Sequence, residues 1–248
     1  MTIKEQQTPP RRIFLKRLGT SGAAAFAPAA TGALLAGGVS DATAQPRSLA
    51  SEQLPTTYLS LGPDEAAFVE AMVNVMCPAD QLTPNGVDCG LAIYIDRQFA
   101  GAFGKGDRLY MRGPWKHSKP QLGYQIPLTP EKFFKAGVAA AQEACTKKFG
   151  KLFDLLPPAD ADAFLQDLAN DKLPHPRAPL AVWFNDLVYP LFVQACFADP
   201  VYGGNRNKVF WRMIGYPGLP ANHARDMVEF RGRPYPAAKN PKSIADFS

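Results

Sequence analysis

Between Leu180 and Ala198 the chain carries no lysine or arginine and a single acid, Asp186. Val182, Trp183, Phe184, Leu187, Val188, Leu191, Phe192, Val193 and Phe197 cover most sides of a helix drawn through this run. A helix that is apolar nearly all round must be buried, so the rest of the chain has to wrap it. Pro190 falls inside the run. It lacks an N–H and its ring collides with the preceding turn, so the pattern predicts a kink there.

The buried run ends in the densest set of turn formers in the chain. Asp199-Pro200-Val201-Tyr202-Gly203-Gly204-Asn205-Arg206-Asn207 is followed by Trp211 and by Ile214-Gly215-Tyr216-Pro217-Gly218. Pro200 stops the helix. Gly203, Gly204 and Asn205 tolerate positive φ. Tyr202, Trp211 and Tyr216 supply flat rings with polar edges, and Arg206 a permanent planar charge. Shaped loops of this kind often carry function. Two roles suit it: locking the C-terminal third to the helical core, or presenting Arg206 and the rings to a partner.

Elsewhere the pattern is helical. A helix begins at Pro63-Asp64-Glu65, with Phe68, Val69, Met72, Val73 and Met76 on one face, and ends by Cys77-Pro78. A second spans about 88–100. Thr129-Pro130-Glu131 caps a third that reaches Phe149, with Gly150 just beyond. Pro157-Pro158 opens a fourth through Leu168, and one or two turns follow within 208–214. Residues 101–128 read as a long surface segment. Residues 217–248 are irregular, with 236–248 expected as a flexible tail. Alternating strand patterns are scarce. The 24 prolines favour short helices and frequent loops. The fold class is therefore mainly α: a single multi-helix domain with long irregular loops.

The N-terminus reads as a targeting segment. Arg11-Arg12-Ile13-Phe14-Leu15-Lys16 has the form of a twin-arginine export signal, followed by a weakly apolar Ala/Gly run to Val39. Ala42-Thr43-Ala44 offers a small-x-small cleavage site, making Gln45 the first mature residue. The expected division is a signal over 1–44 and a helical domain over 45–248. The alternative is that the run is kept as an anchor. The formal net charge of +5 for the whole chain falls to +2 on cleavage. The basic character thus owes much to the signal, which removes the main support for nucleic-acid binding.

Four cysteines, Cys77, Cys89, Cys145 and Cys196, lie in the mature region. An even number in an oxidising compartment suggests disulfides, with Cys77–Cys89 and Cys145–Cys196 the preferred pairing. Motifs for cofactor chemistry are missing. There is no dinucleotide fingerprint, no P-loop, no nucleophile elbow, no zinc-protease motif and no C-x-x-C-H. Asp154, Asp160, Asp162, Asp167 and Asp171 lack the spacing of a calcium loop. The site assignment is therefore no catalytic, cofactor-binding or metal residue in this chain. Asp80, His117 and His223 are the candidates if an unrecognised active site exists.

The Asp199-Pro200-x-Tyr202-Gly203-Gly204-Asn205-Arg206 stretch, with Trp211 and Ile214-Gly215-Tyr216-Pro217-Gly218 downstream and the twin-arginine motif upstream, resembles the gluconate 2-dehydrogenase subunit 3 family. This is the small subunit of membrane-bound sugar and sugar-acid dehydrogenases. The resemblance covers most of residues 55–235 and departs from the family pattern at Asn207 and Asn85-Gly86. It implies three subunits: a large flavoprotein of the glucose–methanol–choline type holding FAD, a multihaem cytochrome c, and a small subunit. The small subunit carries the export signal, takes the folded flavoprotein through the twin-arginine translocase, and stabilises it in the periplasm at the inner membrane. Two other readings remain at this stage. One is a sugar-binding module that stacks a pyranose on Trp211, Tyr202 and Tyr216. The other is a stand-alone periplasmic enzyme.

Overall fold

The computed structural model describes residues 57–248, apart from 108, 117, 118, 120–122, 177 and 221. The export motif, Ala44 and Gln45 lie outside the described residues. Among the described residues there are helices, short 3-10 turns and one isolated parallel bridge, Gly218–Lys242, but no strand. In chain order α1 spans Pro63–Met76, α2 Leu91–Ala100, α3 Ala102–Lys105, α4 Pro130–Phe149 and α5 Pro158–Ala169. The long helix α6 covers Leu180–Phe197. Two short helices, α7 (Val209–Ile214) and α8 (Ala224–Glu229), complete the set.

Helix α4 shows how local chemistry sets these boundaries. The Thr129 side chain accepts the Lys132 N–H at 3.4 Å, Pro130 takes the first position, and Gly150 closes the helix in the left-handed region. At the start of α1 the Glu65 carboxylate accepts the Gly62 N–H at 2.8 Å. Helix α2 departs from expectation. It begins at Leu91, not near Asp88, because Asn85 and Asp88 bond each other in a turn and Gly90 enters the left-handed region.

Helix α6 is the hub. Trp183, Phe184, Leu187, Val188, Leu191, Phe192, Ala195 and Cys196 are all at most 5% exposed. Its length and composition would also suit a membrane span. Here its packing accounts for that composition. Just ahead of Pro190 the helix holds a π-helical segment, Trp183–Val188, in which the Tyr189 N–H reaches back five residues to the Phe184 carbonyl. Widening the turn just ahead of Pro190 gives the ring room without breaking the helix.

The core is aromatic. Phe68 of α1 stacks at 4.9 Å on Phe153, and Phe153 at 5.6 Å on Phe164 of α5. Phe99 of α2 meets Phe134 of α4 at 4.3 Å. Trp183 lies between these groups, 6.2 Å from Phe68 and 6.0 Å from Phe134. Its indole N–H has no hydrogen-bond partner, so shape alone holds the ring.

No disulfide is formed among the four cysteines, which corrects both expected pairs. Cys77 and Cys89 instead direct their thiols at one acceptor, the Pro84 carbonyl, at 3.8 and 3.5 Å. Burial pushes the Cys145 thiol up to about 11, with Asp154 adding to the shift. In apolar seats such as these a thiol behaves as a small hydrophobe. The last residues, expected as a flexible tail, are bonded back to the body. Ser243 is 2% exposed, and Lys242 exchanges backbone bonds with Pro217 and Leu219.

Gly137 of α4 is the tightest point of the core. A Cβ there would lie 2.1 Å from the Trp183 indole nitrogen. Gly137→Ala is expected to lower stability by about 1–3 kcal/mol despite its better helix propensity, because the ring has nowhere to move. Chemical denaturation of the purified chain measures this; wild-type stability would contradict the packing described.

Candidate functional site

Helix α6 ends at Phe197, where Ala198 turns to extended backbone. The last carbonyls of a helix lack intrahelical partners and must find them elsewhere. Here side chains from the following loop supply them. The Trp211 indole N–H donates to the Phe197 carbonyl at 2.7 Å, and the Asn205 carboxamide donates to the Ala198 carbonyl at 3.2 Å. The carboxamide oxygen of Asn205 accepts the Phe210 N–H at 3.0 Å, at the start of α7. One fully buried side chain therefore closes one helix and opens the next.

The loop backbone lies directly on its neighbours. A Cβ on Gly204 would sit 2.3 Å from the Ala195 carbonyl of α6. A Cβ on Gly90 would sit 2.2 Å from the Gly203 carbonyl and 2.9 Å from Arg206 Nε. The Arg206 N–H donates to the Cys89 carbonyl at 3.0 Å, tying the loop to the entry of α2. Asn205, Asn207 and Lys208 all adopt positive φ, near 45°, 56° and 57°. Asparagine tolerates that region and lysine does so at a cost. Lys208 is held there by an ion pair with Asp246, whose carboxyl is pulled down to about 2 by the lysine. Asp199 serves both ends of the loop. One oxygen accepts the Val201 N–H at 3.0 Å and the other the Ile244 N–H at 2.9 Å.

The sequence-chosen residues thus divide. Gly203, Gly204, Asn205 and Trp211 are buried and structural. Gly215 ends α7 in the left-handed region, Tyr216 sits edge-on against Trp211 at 5.2 Å, and Pro217 and Gly218 take the bridge to Lys242. Arg206 is half-buried, Pro200 is intermediate, and Tyr202 is 52% exposed. Trp211 is 5% exposed, so it offers no face on which a pyranose could stack.

Of the candidates for an active site, Asp80 is spent on its own turn, accepting the N–H groups of Leu82 and Thr83 at 2.8 Å each. His117 lies outside the described residues. His223 Nε2 meets the Gly218 carbonyl at 2.8 Å and Nδ1 meets Asp226 at 3.1 Å. A carbonyl and a carboxylate only accept, so this geometry favours the form in which both ring nitrogens donate, the imidazolium. Tyr235 donates to the same Asp226 oxygen at 2.9 Å. Neither ring nitrogen is left to take a proton from a substrate. This network walls a cavity of about 530 Å³ lined by Tyr216, Met227, Phe230, Arg233 and Tyr235 among others. Among the described residues no group of three or more His, Cys, Asp or Glu is placed to hold a metal.

Sequence reasoning missed Asp96. It is 1% exposed and accepts three successive backbone N–H groups, those of Leu59, Ser60 and Leu61, at 2.8–2.9 Å. Such a nest around a carboxylate anchors the segment entering α1. Lys135 and Glu131 add bonds to Ser60. The signal for it was a lone acid within the apolar run of α2.

The histidine network carries a pH dependence. The Gly218 carbonyl, and then Asp226, raise the His223 pKa above its ordinary 6.5. A raised folded value stabilises fully below about pH 6.5 and is lost as pH climbs through the folded pKa. Hydrogen-exchange protection of residues 216–235 is expected to fall above neutral pH, and His223→Gln to flatten that dependence. An identical pH profile in the variant would contradict the assignment.

A comparison with protein-family models bears on this geometry. The model of the family described as gluconate 2-dehydrogenase subunit 3 matches residues 63–218, from the first residue of α1 to the end of the Gly-Tyr-Pro-Gly turn. Searches of curated proteins and of solved structures found no match. With its match spanning more than half of the chain and ending on the loop described above, the protein belongs to the gluconate 2-dehydrogenase subunit 3 family.

Proposed function

We propose that this chain is the non-catalytic small subunit of a periplasmic, membrane-associated, flavin-dependent dehydrogenase of the gluconate 2-dehydrogenase type. It carries the FAD-binding large subunit through the twin-arginine translocase and stabilises it after export. A multihaem cytochrome c completes the complex, and the sugar or sugar acid is oxidised on the large subunit. Family membership supports the association with a dehydrogenase complex. The Arg11-Arg12-Ile13-Phe14-Leu15-Lys16 motif supports the route.

The observation that carries the accessory role is the use of the signature loop. Asn205, Trp211 and Asp199 spend their polar groups on the chain's own backbone, and the His223 ring is tied at both nitrogens. A loop so committed holds a fold together. A catalytic constellation needs groups that converge on a substrate.

Replacing Arg11 and Arg12 by lysine is expected to leave the flavoprotein in the cytoplasm, with periplasmic dehydrogenase activity reduced at least tenfold. Cell fractionation with an activity assay and an immunoblot for the flavoprotein measures this. Normal periplasmic activity in a strain lacking this chain would contradict the proposal.

A further inference from the structure

Helix α8, Ala224–Glu229, buries none of its residues. A helix of six residues is too short to form on its own, and packing usually supplies what propensity lacks. Here the support comes from below, through the Asp226 carboxylate held by His223 and Tyr235. The apolar side chains face outward instead: Met227 is 70% and Val228 79% exposed, and nearby Ile214, at the end of α7, is 57% exposed. Between α8 and the Gly215–Pro217 turn lies the 530 Å³ cavity, with Tyr216, Phe230 and Tyr235 among its walls. An aromatic-walled cavity beside exposed apolar residues has the form of a pocket that receives an anchoring side chain.

Charge is also concentrated here. Residues 212–248 hold six lysines and arginines against three acids, whereas 57–211 hold fifteen against sixteen. Arg225 and Arg231 are exposed on and beside α8, and Arg233 lines the cavity while stacking over the Phe230 ring at 5.5 Å. The partner that fits is apolar at its centre and acidic at its rim. The family match stops at Gly218, so α8 and eight of the eleven residues lining the cavity lie beyond the matched span.

Resting on the function proposed above, we infer that the large flavoprotein subunit docks on this C-terminal face, with an apolar side chain in the cavity and acidic groups against Arg225, Arg231 and Arg233. A basic apolar patch also suits an anionic bilayer. The concave site, its wall fixed by the His223–Asp226–Tyr235 network, favours a protein side chain over a lipid plane.

The test uses the full chain co-expressed with its flavoprotein. M227D/V228D changes two exposed residues, and L82D/L155D, at sites 64% and 62% exposed, is the control. The dissociation constant for the flavoprotein is expected to rise more than tenfold in M227D/V228D, with thermal stability unchanged and the control behaving as wild type. Binding of M227D/V228D at wild-type strength would overturn the surface and leave the proposed function standing. Equal loss in the control would also overturn it. Retained flavoprotein binding with lost sedimentation on phosphatidylglycerol vesicles would overturn it in favour of the membrane. A wild-type chain that does not bind the flavoprotein would overturn the surface and the proposed function together.

Discussion

The carboxamide of Asn205 is the joint on which the C-terminal third depends. Its nitrogen serves the Ala198 carbonyl at the end of α6 and its oxygen the Phe210 N–H at the start of α7. A carboxamide carries a donor and an acceptor on one planar group and so can do both. The backbone there is left-handed, which asparagine accepts more readily than most residues. Because the loop is fixed at this point, Gly204 can press on α6, the Gly203 carbonyl can press on Gly90, and Arg206 can reach the Cys89 carbonyl. The entry of α2 and the exit of α6 are thus set by one another through a loop far from α2 in sequence.

The same economy recurs ahead of α1. Asp96 gathers three N–H groups of the segment before α1, as Asp199 gathers those of Val201 and Ile244. Buried or half-buried carboxylates are held by backbone donors, and each ties a flanking segment to the helical body. Charge-assisted bonds of this kind are worth about 1.5–3 kcal/mol each. Such carboxylates hold the segments that flank the helices in place. The C-terminal face around α8 is where apolar exposure and positive charge coincide.

Much of the helical layout was legible because local signals set it. Thr129, Pro130 and Gly150 bound α4 without help from the rest of the fold, and the apolar run of α6 demanded burial. Misreadings arose where distant contacts decide. Asp88 resembles a helix start, yet its turn with Asn85 and the left-handed Gly90, against which the Gly203 carbonyl lies, move the start to Leu91. Pro190 signals a disturbance in α6, but its form, a π segment just ahead of the ring, is not written in the proline itself. Cysteine count suggests disulfides, whereas pairing depends on where the thiols point, and two of them point at Pro84. Within the candidate site, glycines and aromatics marked the loop. The partners of Asn205, the nest on Asp96 and the His223–Asp226–Tyr235 network needed coordinates.

The most direct test of the loop as a structural joint is the unfolding free energy of Asn205→Ala, measured alongside flavoprotein binding. The substitution leaves the Ala198 carbonyl and the Phe210 N–H without partners and puts alanine in the left-handed region. Each orphaned group costs about 1–3 kcal/mol and the backbone about 1–2. A loss of about 3 kcal/mol or more is expected, with flavoprotein binding falling only as far as the folded fraction falls. Wild-type stability combined with lost flavoprotein binding would contradict it and make the loop a contact surface.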